Sequence, residues 1–299
     1  MSLTTNPFST LSEMMITPEI MQGYVIVMVL LVIAGTILDM RHKKSAEYFF
    51  QNAKKAQKDA KRTLSGGEKA SLAIQTVAGE VLTSSEFKST KRRISHLFTM
   101  YGFILFVVST AVLIFGYATQ AEAGIWPLLW HLGALALCFG GYWFWFDIRV
   151  DVASEGVKWY NFNGRGDLFI LGLLFTATFA LLWSFTMGAG VVNTILFALF
   201  IISSVVLFGS VYWSKFAHMF FKPAAAYQKK TIKADGSREK LPDEYDLTDP
   251  SVQKRFPDIP EYMGTNPPNM GLGISREAPR HYKLTFTSKE NLQCQLLYT

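Results

Sequence analysis

Cysteine is nearly missing from this chain. Its two cysteines, Cys138 and Cys294, cannot hold an iron–sulfur cluster, which takes four protein ligands. Both are expected to be free thiols in a reducing compartment. Charge is scarce as well: 17% of residues are charged, where a soluble protein carries about a quarter. Lys and Arg are wholly absent from residues 1–23, 119–124 and 188–190. Residues 1–20 have no basic n-region, and no small-residue cleavage site follows the first apolar run, so a cleaved secretory signal is not expected. No repeat of propeller or solenoid type is visible. Gly164-Arg165-Gly166 lacks the strand–turn–helix setting of a phosphate cradle. No nucleophile–base motif stands out.

What is present is apolar and arranged in blocks. Half of the residues are hydrophobic and 14% are aromatic. A membrane-spanning helix needs about 20 mostly apolar residues. Five segments qualify: 24–39 (extended back through Ile20 and Met21), 96–118, 126–146, 168–187 and 191–213. The net charge of +6 does not point to nucleic acid, because the basic residues flank these segments and alternate with acidic ones. With the N-terminus outside, the three inner parts hold every Lys and Arg: 13 in 40–95, 3 in 148–167 and 13 in 213–299. Short basic loops resist translocation, so this bias sets orientation. The expected fold is an all-α integral membrane protein with five transmembrane helices. It places the chain in the cytoplasmic (inner) membrane with its C-terminus in the cytoplasm.

Around the membrane domain (21–223) three further parts are expected. Residues 1–20 form a polar outer arm. Residues 42–95 form a cytoplasmic helical hairpin against the membrane surface or a partner. Its helices cover roughly 46–62 and 68–82, broken at Ser65-Gly66-Gly67. Ala70, Leu72, Ile74, Val77, Ala78 and Val81 form its expected buried face. Residues 224–299 are an extended arm that orders against a partner subunit, since prolines from Pro242 to Pro279 come too often for long helices. Asp167 is the expected N-cap of the fourth span.

Five histidines carry the functional question: His42, His96, His131, His218 and His281. A bis-histidine haem b needs two imidazoles from different helices at one depth. His96 opens the second span and His218 follows the fifth, both at the inner face. They are either axial ligands to one haem iron or two interfacial histidines facing headgroups and water. His131 lies near the outer end of the third span with no histidine at its depth, so a second haem is not expected. It hydrogen-bonds a quinone, relays a proton or caps an interfacial network. His42 belongs to a solvated basic cluster, and His281 is expected to touch a partner. Met14, Met15, Met100 and Met219 are read as packing or interface residues. A transporter is not favoured, because the spans show no paired broken segments and Asp39, Asp147, Arg149 and Asp167 fall at their ends.

Ser214-Lys215-Phe216-Ala217-His218-Met219-Phe220, closed by Pro223, resembles the end of the last helix in membrane cytochrome b subunits. These include the gamma subunit of respiratory nitrate reductase and the membrane subunit of heterodisulfide reductase. Arg93-Ile94-Ser95-His96 with Gly102-Phe103 is similar to the start of their second helix, and Gly166-Asp167-Leu168-Phe169 to the start of the fourth. The resemblance covers roughly residues 20–223. It implies a five-helix bundle with haem b between helices two and five, passing electrons between quinone and a cytoplasmic iron–sulfur or flavin partner. The stretches 103–115 and 194–208 lack the histidines of two-haem members. The stretch Gly271-Leu272-Gly273-Ile274-Ser275-Arg276-Glu277-Ala278-Pro279-Arg280-His281-Tyr282 resembles the membrane anchor associated with dissimilatory adenylylsulfate reductase. That resemblance implies adenylylsulfate reductase as the partner and a place in sulfur metabolism. The rival expectation is a haem-free anchor that docks a soluble enzyme.

Overall fold

A computed structural model of the chain describes residues 3–43, 45–85, 87, 89–151, 155–237 and 249–255. The side chains of residues 43, 45–50 and 218 lie outside that description. So do residues 256–299, which carry His281, Cys294 and the stretch 271–282. The described residues are helical, with no strand among them. They fall into two compact units: Met1–Val150 with Val157–Pro242, and Asp151–Gly156 with Asp243–Thr299. In the second unit the one described helix is short (Pro250–Arg255), and the Asp249 carboxylate accepts the Ser251 amide at 2.8 Å.

The first unit holds five helices long and apolar enough to cross a membrane. They are α1 (Pro18–Lys43), α4 (Thr90–Gly116), α5 (Trp126–Trp143, continued by a π-turn to Ile148), α6 (Gly164–Phe185) and α7 (Val191–Gly209). Helices α2 (Ser45–Lys58) and α3 (Gly66–Gln75) form the hairpin, and α8 (His218–Ala234) follows the last span.

Small residues set the tightest contact, α4 on α5. A Cβ on Gly102 would lie 2.5 Å from the Leu137 amide nitrogen, and one on Gly133 would lie 2.6 Å from that of Phe106. Only glycine lets two backbones meet this closely, and in lipid such contacts hold helices together where the hydrophobic effect does not. Two turns nearer the basic end, the Ser95 hydroxyl donates to the Gly140 carbonyl at 2.8 Å. This fixes the rotation of α4 next to His96.

Several local expectations are corrected. Asn163, not Asp167, caps α6: its side chain accepts the Gly166 amide. The Asp167 carboxylate accepts the Asn163 amide at 2.8 Å and pairs with Arg149 at 2.5 Å. Arg149 is buried, lies 4.1 Å over the Trp145 ring, and donates to the Lys158 and Asn161 carbonyls. A buried charge needs this many partners, and they tie the 157–163 loop to α6.

The second hairpin helix ends at Gln75 and widens into a π-turn (Thr76–Leu82). Its expected buried face holds only in part: Leu72 and Val81 are half-buried, Ala70, Ile74, Val77 and Ala78 are exposed, and Thr76 is buried. The arm is not extended at its start either. α8 runs through Pro223 to Ala234, because the proline-rich spacing begins only at Pro242 and the stretch 224–234 is rich in Ala and Lys. It clamps the hairpin: Lys230 pairs with Glu80 at 3.5 Å, and the Lys61 amide donates to the Asp235 carbonyl at 2.9 Å.

The first residues are packed in. Pro7–Met14 form a 3-10 helix, and Phe8 meets Trp130 and Trp183 edge-on at 5.8 and 5.4 Å. The Asn6 amide donates to the Tyr117 and Gln120 carbonyls. A reading of this segment as a polar arm passed over Phe8 and Leu11, both almost fully buried.

Candidate functional site

His96 sits in the first two turns of α4, and the exit of the π-turn is fastened around it. The Leu82 carbonyl accepts from the Tyr101 hydroxyl and the Thr83 carbonyl from Arg93 Nε, each at 2.7 Å. Ser84 Oγ then meets His96 Nδ1 at 3.0 Å. Ser84 is fully buried and held at φ 48°, a left-handed conformation that a non-glycine residue seldom adopts. Strain of this kind persists only where the surroundings enforce it, and it concentrates at functional sites. The bond fixes ring orientation. Nδ1 is thereby held by a hydroxyl.

Phe87 joins His96 to α8. Its ring centroid lies 4.9 Å from that of His96. Lys222 Nζ stands 4.9 Å from the Phe87 ring, and the Arg92 guanidinium 5.6 Å from it. Lys222 is one helical turn beyond His218, so the start of α8 and the start of α4 share one ring. His218 is the first residue of α8; its side chain lies outside the described residues. Among the described residues no group of three or more His, Cys, Asp or Glu is placed to hold a metal ion.

His131 is built in differently. It is 1% exposed, with Nδ1 at 2.7 Å from the Pro127 carbonyl and Nε2 at 2.6 Å from Ser184 Oγ. The carbonyl can only accept, so Nδ1 carries a proton. Trp130 and Phe185 flank the ring. His42 meets Tyr212 edge-on at 5.7 Å. Cys138 is a free thiol 3.6 Å from the Thr178 hydroxyl.

Between these two ends lies a slot of about 610 Å³. One wall is the face of α1 from Met21 to Ile37; the others come from α4, α6, α7 and the start of α8. No charged residue and no histidine lines it, so it is distinct from the His96 environment. Sequence reasoning missed the slot, Ser84 and Phe87. A gap between helices leaves no local pattern, and Ser84 stands in an ordinary Thr-Ser-Ser loop.

No family model matches the chain, and neither a curated protein nor a solved structure matches it.

Proposed function

We propose that the chain is the membrane-anchor subunit of an oxidoreductase. It passes electrons between membrane quinone and a cytoplasmic iron–sulfur or flavin reductase, through one haem b held by His96 and His218. When bound, such a haem supplies one-electron transfer, and the chain's residues set its orientation and polarity. The observation that supports this reading most is the strained Ser84 fastened to His96 beside the start of α8. A solvated interfacial histidine needs no such brace. Basic residues near Phe87 suit an acidic docking partner. The hairpin and α8 supply its platform, and adenylylsulfate reductase is the partner that the 271–282 stretch suggests.

The test is a pair of variants, His96→Ala and His218→Ala, each inserted in membranes. Both are expected to lose the b-type absorption band while the chain still inserts. A band retained in both variants would sink the assignment. A haem-free docking anchor is the second reading, which the platform of α8 clamped on the hairpin suits equally well. Under it both variants leave partner binding untouched.

A further inference from the structure

We infer that the slot between α1 and the other spans is the seat of the quinone itself, with its head at Tyr24 and its isoprenoid tail along α1. This rests on the quinone reading above and gives it a place. Met21, Tyr24, Met28, Val32 and Thr36 recur at helical spacing and line the slot. That face is about 22–24 Å long, so the slot accepts a long chain and not a compact solute. α1 meets the bundle near each of its ends. Near one end Gln22 donates to the Ile114 carbonyl at 3.1 Å. At the other, a Cβ on Gly35 would lie 2.9 Å from the Val211 side chain.

The chemistry of the wall selects the occupant. A phospholipid brings a phosphate, and no Lys, Arg or His lines the slot to meet it. Thr36, Thr110 and Thr176 donate to carbonyls of their own helices at 2.7 to 2.8 Å. Ser204 can spend its proton on the Phe200 or Ile201 carbonyl, both at 2.9 Å. Tyr24 and Ser204 meet at 2.7 Å, where either hydroxyl can donate, and the phenol also reaches the Ile201 carbonyl at 3.5 Å. Tyr24 is the phenol on this wall, and with two alternative contacts its hydroxyl can turn to a new acceptor. A quinone carbonyl is a small, uncharged acceptor on a long apolar chain, and it matches.

The test is tryptophan-fluorescence quenching of the purified full chain by decylubiquinone. Trp130 Nε1 donates to Thr110 at 2.9 Å, against the slot wall, and reports on it. Saturable quenching is expected. Tyr24→Phe should weaken it about fivefold, the loss of one hydrogen bond. Ala111→Phe, which puts a ring into the slot, should weaken it further. A photoreactive azidoquinone on the unaltered chain should label the 21–37 peptide, whatever the variants do to folding. Labelling confined to other peptides, or quenching unchanged in Ala111→Phe, would overturn the assignment. So would decanol competing as well as the quinone, which would make the slot a plain acyl groove. Quenching needs neither haem nor partner, so failure of the relay and failure of the slot are told apart.

Discussion

Ser84 shows how one residue can organise a site from outside it. Its backbone is strained, its side chain is buried, and its hydroxyl fixes the ring of His96. Ser84→Ala should leave the chain folded yet weaken haem retention about 10- to 100-fold, as loss of a ligand-orienting partner does. Titration of haem into the purified haem-depleted variant checks this. Arg149 makes the opposite case, a charge that serves structure. Its side chain is 2% exposed and that of Asp167 12%. Arg149→Met leaves the carboxylate uncompensated and should cost about 3–5 kcal/mol, read from denaturant unfolding in micelles. Arg149→Met combined with Asp167→Leu should recover most of that loss. The histidines themselves were legible from the sequence, because an ionisable group at a span end draws notice on chemistry alone. Their partners were not. Ser84 and Phe87 reach His96 through a turn whose course depends on tertiary contacts.

At the scale of elements, the spans were the most legible part, since length and hydropathy need no knowledge of packing. Their ends were less so. α7 stops at Gly209 rather than running to Trp213, and α8 resumes at His218. Helix α3 carries a capping box that the Ser65-Gly66-Gly67 reading treated only as a break. Ser65 Oγ accepts the Glu68 amide, and the Glu68 carboxylate accepts the Ser65 amide at 2.8 Å. That amide first, then Arg62, holds the Glu68 carboxyl down at about 2, below its ordinary 4.5. A depressed carboxyl pKa stabilises the folded helix above the unfolded value and ceases to do so as pH falls through the folded one. Amide exchange in α3, corrected for its intrinsic pH dependence, should therefore show protection falling between pH 4.5 and 2. Glu68→Gln should remove most of that pH dependence.

For the whole molecule, the charge asymmetry and the packing meet at one end. The hairpin, the start of α4 and α8 are knit together there, and the sequence reading expected every Lys and Arg on that side. The reading of 224–299 as one extended arm missed the helix through Ala234, because helix propensity before Pro242 was outweighed by the prolines after it. The structural clamp reaches Asp235. Truncation after Ser237 should therefore leave the hairpin resistant to limited proteolysis while releasing the partner. Truncation after Pro223 removes Lys230 and Asp235 and should expose it. Protease digestion of the two truncated chains in membranes separates these outcomes. The most direct test of the central claim is a count of haem b per purified chain, by pyridine haemochrome with a dithionite-reduced minus oxidised spectrum. One haem per chain is the predicted result. No haem in a fully inserted, cofactor-replete preparation would contradict the electron-transfer account.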